Sequence, residues 1–219
     1  VAASCTCSGA NFELLRSLLH GEGEREEGFA AADAAAAGAP AGSNGVLFLP
    51  HLLGERCPIS SPAQRGAFVG LHPGSTRADL SRAVVEGLAF QYRWLLETLA
   101  AVEDGGAAGE GGEGAALVMV GGGAKAAVVR QIFAAVLGRR VAWVEGADVA
   151  CLGAASLARR ALGEADGRAA AEAAGAAALV AEPDAVEGGR ARYERLYPVW
   201  RRFVECTRGP YEELAVALQ

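Results

Sequence analysis

The sequence predicts an α/β fold, and two observations support this class. The stretch "LVMVGGGAKAAVVRQIFAAVLGRRVAWVE", residues 117–145, has the pattern of a strand, a glycine turn, an amphipathic helix and a second strand. The stretch "DVACLGAASLARRALG" that follows has the composition of a further helix, whose small residues suit close packing on a sheet. Alternation of strand and helix favours a parallel strand pair joined by a right-handed crossover.

The first half of the chain predicts helices and two short strands. "NFELLRSLL", residues 11–19, places its apolar residues on one face at helical spacing, and residues 20–45 predict a weakly determined helix followed by a loop. "GVLFLP" and "GAFVGL" predict two short strands bounded by glycine or proline. Thr76 and Asp79 form a Thr-x-x-acid start for a helix of roughly seven turns, because apolar residues continue at helical spacing as far as Leu99.

Three segments of the second half are less regular. Residues 104–114, "DGGAAGEGGEG", contain no large apolar residue and predict a mobile surface loop. Residues 164–189 are Ala-rich and weakly determined, with helix favoured by propensity from 168 to 181. The chain closes with an aromatic-bearing helix that we expect to be broken near Pro198 and at Gly209-Pro210.

Composition and charge favour a protein that acts on a small molecule. The 219 residues are 52% hydrophobic and carry a net charge of −6, with no Lys/Arg run of the kind that nucleic acid or an anionic membrane surface requires. The apolar stretches are too short for a membrane span. Five scattered cysteines, without histidines at ligand spacing, indicate reduced thiols in the cytoplasm and no metal site. Because the chain begins with Val1 and its only methionine is Met119, we expect a piece of a longer protein.

The glycine turn at residues 121–123 is the strongest candidate binding feature. Successive glycines at a helix start leave backbone N–H groups uncovered, and these groups together with the helix dipole can face a phosphate. A tight turn without a ligand is one alternative. The spacing Gly121-x-Gly123-x-x-Ala126, followed by Glu145, also fits the looser dinucleotide fingerprint of NAD-dependent oxidoreductases. That fingerprint usually opens its domain, whereas a long helix and two short strands precede it here.

Residues around this turn resemble the FGGY carbohydrate kinases. In "GAFVGLHPGSTRADLSRAVVEGLAF" the positions that resemble a signature of this family are Gly66, Phe68, Gly70, Leu71, Asp79, Leu80, Ala83, Val84, Val85, Glu86 and Gly87. "GVLFLPHLLGERCP" is similar to the segment before that signature in xylulokinases, and "VGGGAKAAVVRQIFAAVLGRRV" is similar to the adenosine-binding turn and helix. "CLGAASLARRA" and residues 193–200 resemble the last elements of the family. The resemblance covers nearly the whole chain and is weakest in the glycine-rich loop and near residue 170.

The resemblance implies an actin-like ATPase (ribonuclease H-like) fold, of which residues 1–219 are the second domain of a sugar kinase, incomplete at its N-terminus. The family transfers the γ-phosphoryl group of Mg-ATP to a sugar or polyol hydroxyl, here on a xylulose-type pentulose. The sugar would bind largely to the missing N-terminal kinase domain, and the Mg would be held mainly by groups outside this chain. The resemblance places the adenosine nucleotide against Gly121, Gly122, Gly123, Ala124 and Lys125.

No catalytic residue is nominated from this sequence. The catalytic Asp and the Gly/Thr-rich phosphate loops of the family lie in the first domain and at the opening of the second, and neither an Asp-x-Gly-Thr nor a Gly-Gly-Asp-Asn string occurs here. A solvated or capping role is expected for the aspartates: Asp33, Asp79, Asp104, Asp148, Asp166 and Asp184. We therefore expect the chain to be inactive alone. The non-enzymatic alternative is a truncated half-kinase that acts as an interaction module.

A few other polar residues have two possible roles. Glu55 and Arg56 on an irregular loop either touch a ligand or pair with each other, and the structural role is favoured. Glu86 either braces the adjacent glycine turn or meets ATP. The histidines are expected to be isolated, placed on loops and not ligands: His20, His51 and His72.

Overall fold

The computed structural model describes residues 5, 8–21, 24–103, 116–144, 149–162 and 178–218. Its helices are α1 (Gly9–Leu19), α2 (Arg25–Gly38), α3 (Arg77–Glu103), α4 (Ala127–Leu137), α5 (Val149–Ala161) and α6 (Gly189–Ala217). Its strands are β1 (Leu47–Leu49), β2 (Ala67–Val69), β3 (Leu117–Met119), β4 (Val141–Val144) and β5 (Ala178–Ala181). Within these ranges no helix combines the length and the apolar composition needed to cross a membrane. The predicted loop at 104–114 and most of the Ala-rich segment lie outside the described residues.

The strands form two small sheets. β1 and β2 pair antiparallel, whereas β3 and β4 pair parallel, with Leu117 opposite Val141. The parallel pair predicted across the glycine turn is therefore confirmed. β5 joins the other edge of β4 in the antiparallel direction, so the strand order is β3-β4-β5. The prediction of helix as far as Ala181 is wrong for β5, because pairing with β4 outweighs the helix propensity of alanine.

Helix α3 begins with the capping box that the sequence predicts. The Thr76 N–H and hydroxyl donate to Asp79 Oδ2 at 2.8 and 2.7 Å, and the Asp79 N–H donates back to the Thr76 hydroxyl at 3.2 Å. Farther along α3, Gly87 lets β1 approach closely, since a Cβ there would lie 2.2 Å from the Phe48 carbonyl oxygen. The helix is therefore fixed both at its start and against β1.

Helix α6 is continuous although it contains Pro198 and Pro210, so the prediction of breaks at these positions is wrong. Its buried side continues at helical spacing across the first proline: Tyr193, Tyr197, Trp200 and Val204. The Trp200 indole N–H also donates to the Phe48 carbonyl at 2.8 Å. This burial stabilises the helix by more than the loss of one main-chain hydrogen bond destabilises it.

The hydrophobic core lies where α3 and α6 meet β1. The Trp200 ring lies 5.8 Å from Phe90 and 6.2 Å from Trp94, both on α3. Helices α1, α2 and α4 also pack on α3. The core therefore holds α1 and α4 on a common support, which brings the start of α1 close to the glycine turn.

Candidate functional site

The glycine turn connects β3 to α4 with little side-chain cover. Gly121 has a positive φ of 96°, a conformation that favours glycine. Gly122–Lys125 then form a 3₁₀ turn, in which the Ala124 N–H donates to the Gly121 carbonyl at 3.2 Å. A Cβ at Gly121 or Gly122 would meet no heavy atom within 4 Å. This part of the backbone is therefore open to close approach by a ligand.

Arg130, in the first turn of α4, holds the glycine turn in shape. Its guanidinium is buried, and Nη1 donates to the carbonyls of Ala124 at 2.6 Å and Lys125 at 2.7 Å. The guanidinium also lies 5.1 Å from the centre of the Trp143 ring, a cation–π distance. The turn is thus pinned by hydrogen bonds from a buried side chain.

A cavity of about 500 Å³ lies beside the turn. One wall is the turn itself with β3, and a second is α3, through Leu88 and Tyr92. The third wall is the start of α1, through Ser8, Gly9 and Phe12. Sites for small molecules commonly enclose about 300–1,000 Å³ between mostly apolar walls with a few polar groups. The size and lining of this cavity therefore suit a small organic ligand.

The α1 wall contains site residues that the sequence analysis did not nominate. The Phe12 ring packs against Gly123, where a Cβ would lie 2.9 Å from Phe12 Cε2. The hydroxyls of Ser8 and Tyr92 are 2.7 Å apart and join the start of α1 to α3. The local sequence offers only an amphipathic helix that begins at Gly9, and without the tertiary contact it looks like any other helix start.

The start of α4 is suited to a negative group. Its N-cap, Ala126, provides no side-chain hydrogen bond, so the first N–H groups of the helix remain without a capping acceptor. The helix dipole adds positive potential at the same end. Lys125 is exposed beside it. The cavity lining includes Phe133 and Leu137 of α4 but not its first turn, so this positive potential lies next to the cavity, where it can face an anionic group attached to a ring inside.

The nominated turn residues have different environments. Gly121 and Gly122 are exposed, Gly123 is half-buried beneath Phe12, and Ala124 is buried. All of these line the cavity, whereas Lys125 is exposed just beyond it. The open glycines are therefore the parts of the turn that a ligand can touch most closely.

A second cavity, of about 610 Å³, lies between the end of α2, α4 and α6, but the two arginines of its lining are already engaged within the domain. The buried Arg82 donates through Nε to Glu86 Oε1 at 2.8 Å and through Nη2 to the Tyr193 hydroxyl at 2.8 Å. Arg192 donates to the Ala41 carbonyl at 2.7 Å. Because these arginines are used in hydrogen bonds within the domain, they are not available to a ligand. The smaller cavity beside the glycine turn is therefore the better candidate site.

Glu86 braces a loop of the fold. It is buried and accepts the Gly42 N–H, the Ser43 hydroxyl and the Tyr193 hydroxyl, at 2.9, 2.9 and 2.7 Å. Burial raises the pKa of Glu86, while the charge of Arg82 and the hydrogen-bond donors act in the opposite direction. Glu86 therefore braces a part of the fold as one of its two predicted roles requires, but the segment that it holds is the loop at Gly42 and Ser43.

Glu55 also has a structural role, but not the predicted ion pair with Arg56. Its Oε1 accepts a hydrogen bond from the Arg56 backbone N–H at 2.8 Å, and its Oε2 accepts one from Gln91 Nε2 at 3.1 Å.

Two of the histidines lie close to polar side chains. The buried His51 has Nδ1 at 3.4 Å from Glu55 Oε2. His20 Nε2 lies 2.9 Å from the Ser81 hydroxyl. The prediction that the histidines are isolated is therefore wrong for His20 and His51: His20 meets a residue that is distant in sequence, and His51 meets Glu55 four residues further along the same loop.

Acidic residues in the described ranges occupy several environments. Asp79 caps α3 as expected, whereas Asp33 is half-buried and burial raises its pKa to about 6. Asp184 is exposed. Over the part of the chain that the structure describes, no group of three or more His, Cys, Asp or Glu side chains is placed to hold a metal ion. The other aspartates lie outside the described residues: Asp104, Asp148 and Asp166.

Comparison with known proteins gives one consistent result. Residues 1–162 match the sequence model of the FGGY family of carbohydrate kinases, C-terminal domain. The xylulose kinase of Escherichia coli (strain K12) is 34% identical over 115 residues, which are 52% of this chain and 22% of that protein. A ligand-bound xylulose kinase structure from Lactobacillus acidophilus aligns with a TM-score of 0.75 and 27% identity. A gluconate kinase from the same organism aligns with a TM-score of 0.74 and 28% identity. Both alignments cover 96% of this chain and 40% of the relative, so the chain spans well under half of the length of these relatives.

Proposed function

This chain belongs to the FGGY family of carbohydrate kinases and corresponds to the C-terminal domain of those proteins, and we propose that it forms the nucleotide-binding side of an ATP-dependent sugar kinase. The predicted fold class, an actin-like ATPase domain, is confirmed by the solved relatives. As acceptor we propose a xylulose-type pentulose, because xylulose kinases are the most frequent relatives. We assign the sugar contacts mainly to an N-terminal kinase domain that completes the enzyme.

One observation carries the nucleotide assignment: the bare backbone of Gly121 and Gly122 borders the cavity, a few residues before α4 begins. A base and a ribose need an apolar space in which they can lie close to the backbone. The cavity walls at Phe12 and Tyr92 provide such a space. The uncapped N–H groups of α4 and the Lys125 ammonium lie beyond the cavity lining and favour phosphates placed there. These features support ATP and ADP as ligands of this site.

In this proposal the residues of the chain bind and orient the donor. Phosphoryl transfer depends mainly on positioning and on compensation of charge around the transferred group. The turn pinned by Arg130 would hold the adenosine in one place, so that the γ-phosphate faces the acceptor hydroxyl. Mg²⁺ would neutralise phosphate charge, but the described residues offer no cluster that fits it, so we assign it to no residue here. We also nominate no general base, and expect the separate chain to bind nucleotide without phosphorylating sugar.

The oxidoreductase alternative fits the strand order less well. A doubly wound dinucleotide domain continues with parallel strands after the glycine turn. Here β5 runs antiparallel to β4, directly after one parallel pair. Glu145, the acid of that fingerprint, lies outside the described residues. The family match favours the kinase for the same chain segment.

The test is calorimetric titration of the purified chain with Mg-ADP and separately with NAD. We expect ADP to bind, NAD not to bind, and Gly122→Val to weaken ADP binding at least about tenfold, because the new side chain occupies ligand space next to the turn. The matched control is Gly38→Val, at an exposed glycine that ends α2 and whose Cβ would also meet nothing within 4 Å. This variant should bind ADP like the parent chain.

Three results would contradict the assignment. Binding of NAD in place of ADP would favour the oxidoreductase. ADP binding that is unchanged in Gly122→Val would move the nucleotide away from the glycine turn. Failure to bind either nucleotide would favour the non-catalytic interaction module for this chain.

A further inference from the structure

The cavity beside the glycine turn has two polar side chains in an otherwise apolar lining. Of the described residues that line it, only Ser8 and Tyr92 carry a hydroxyl, an amide or a charged group in the side chain. Their hydroxyl oxygens are 2.7 Å apart, which is a hydrogen-bond distance, and both residues are half-buried. We call these two groups the hydroxyl pair. Among the described side chains, the hydroxyl pair is therefore what a ligand inside the cavity can use for hydrogen bonds.

The hydroxyl pair has hydrogen-bonding capacity to spare. Ser8 occupies the N-cap position of α1, where a serine hydroxyl usually accepts a hydrogen bond from the helix, but its side chain makes no such bond. Over the part of the chain that the structure describes, neither hydroxyl has a second partner. Two hydroxyls carry two hydrogens, of which one lies between the oxygens. The pair therefore keeps one O–H donor and, on the other oxygen, acceptor lone pairs for a ligand.

The polarity of the hydroxyl pair is reversible, because either oxygen can be the donor in the bond between them. If Ser8 donates to Tyr92, the Tyr92 O–H is left to donate and the Ser8 oxygen is left to accept. Rotation of both O–H groups exchanges these roles. Adenine presents an amino donor beside the N1 acceptor, whereas guanine presents the O6 acceptor beside the N1–H donor. The pair can therefore match the edge of either purine.

The position of the hydroxyl pair favours the base over the ribose as its partner. The Tyr92 ring packs at 5.6 Å on Phe133, which lies six residues, or about 9 Å, beyond the start of α4. Phosphates are favoured at the start of α4, and the base is the part of a nucleotide farthest from them. The ribose hydroxyls can use the open backbone of Gly121 and Gly122. A base inside the cavity then depends on the hydroxyl pair for its polar edge.

We infer, on the basis of the proposed nucleotide function, that the hydroxyl pair hydrogen-bonds to the edge of the purine base and that the site accepts adenine and guanine nucleotides alike. An amide or a charged side chain has a fixed arrangement of donors and acceptors and would favour one base. The described lining contains no such side chain. Ser8 and Tyr92 therefore determine the specificity of this site, which is for purine nucleotides as a class.

Calorimetric titration of the purified chain with three nucleotides tests this specificity. They are ADP, GDP and benzimidazole riboside diphosphate, in which the six-membered ring has no polar edge. We expect the dissociation constants of ADP and GDP to agree within about threefold. The benzimidazole analogue should bind about tenfold more weakly than ADP, because its ring makes no hydrogen bond to the pair.

Two variants separate recognition of the base from support of the fold. Tyr92→Phe and Ser8→Ala should each weaken ADP and GDP binding by about three- to tenfold, the effect of losing a neutral hydrogen bond. Neither variant should weaken binding of the benzimidazole analogue, which makes no such bond. The matched controls are Tyr211→Phe, at a half-buried tyrosine of α6, and Ser17→Ala, at an exposed serine of α1. Both controls lie outside the cavity lining and should bind all three nucleotides like the parent chain.

Two results would overturn the inference and leave the nucleotide function standing. One is a preference of the parent chain for ADP over GDP, or the reverse, by more than about thirtyfold, because a group of fixed polarity would then select the base. The other is equal weakening of all three nucleotides in Tyr92→Phe and Ser8→Ala, which would assign the pair to the ribose or to the packing of α1 on α3. A parent chain that binds none of the three would contradict the nucleotide function itself, and with it this specificity.

Discussion

The ring of Phe12 occupies the space that a side chain on Gly123 would need, since a Cβ at Gly123 would lie 2.9 Å from Phe12 Cε2. Phe12 belongs to α1 and Gly123 to the turn before α4, so this contact joins two walls of the candidate cavity. Because the chain is glycine at that point, an aromatic ring can lie directly on the backbone. The contact therefore fixes the distance between α1 and the turn.

Gly123→Val should disturb both stability and nucleotide binding. The added atoms force Phe12 to move, and overpacking of this kind costs about 1–3 kcal/mol of unfolding free energy. We expect ADP binding to weaken at least about tenfold as the cavity wall shifts. Urea unfolding and calorimetry measure the two effects. Phe12→Ala in the same chain should recover part of the lost stability, and ADP binding that stays unchanged in Gly123→Val would separate this contact from the site.

Arg130→Met should loosen the glycine turn while keeping much of the side-chain volume. The carbonyls of Ala124 and Lys125 lose their donors, which we expect to cost about 1–3 kcal/mol of unfolding free energy and to weaken ADP binding. The comparison is Arg139→Met, an exposed arginine just after α4, for which both quantities should stay close to those of the parent chain. Equal effects of the two substitutions would show that Arg130 does not support the turn.

Glu86→Gln should be among the most destabilising single changes in the described part of the chain. It removes the negative partner of the buried Arg82, and breaking a buried ion pair typically costs about 3–5 kcal/mol. Urea unfolding followed by circular dichroism measures this. Glu97→Gln, at a half-exposed ion pair with Arg93, should cost about 1 kcal/mol or less. If Glu86→Gln cost no more than that control, the network would contribute little to stability.

Asp33→Asn should stabilise the chain at neutral pH. Burial raises the pKa of Asp33 to about 6 in the folded state, above an unfolded value near 4. The folded chain therefore binds more protons between these pKa values, and the parent loses stability as the pH rises from about 4 to 6. The variant should avoid this loss. Its free energy of unfolding should exceed that of the parent chain by on the order of 1 kcal/mol at pH 7, and the difference should vanish below about pH 4. Thermal unfolding across this pH range measures the difference, and a gain that does not depend on pH would contradict the assignment.

Asp79→Asn should have the opposite sign. Burial raises the pKa of Asp79, but hydrogen bonds from Thr76 and Asn44 outweigh it and hold the pKa below its usual range. A lowered pKa stabilises the folded chain above the unfolded value near 4, and this stabilisation is lost as the pH falls through the folded pKa. The substitution should therefore destabilise the chain by about 1 kcal/mol at pH 7 and by less under acid conditions. The same thermal unfolding series measures this, and stabilisation at pH 7 would refute it.

Structural features that depend only on short stretches of the chain could be predicted from the sequence. The capping box of Thr76 and Asp79, the strand and helix around the glycine turn, and the parallel pairing of β3 with β4 follow from local hydrogen bonding and apolar spacing. The turn was nominated because only glycine leaves the backbone bare. The family resemblance of the same residues pointed to the actin-like fold, which the solved relatives confirm.

Other features depend on contacts between residues that are distant in sequence. Alanine propensity favoured helix at β5, and prolines favoured breaks in α6, but strand pairing with β4 and burial of Trp200 outweighed both. The α1 wall of the cavity exists because α3 supports both α1 and α4. By itself, therefore, the sequence determined the elements whose stability is local, together with the place of the bare turn. Only the tertiary structure decided what covers that turn, because packing and strand pairing act between segments that the order of residues does not bring together.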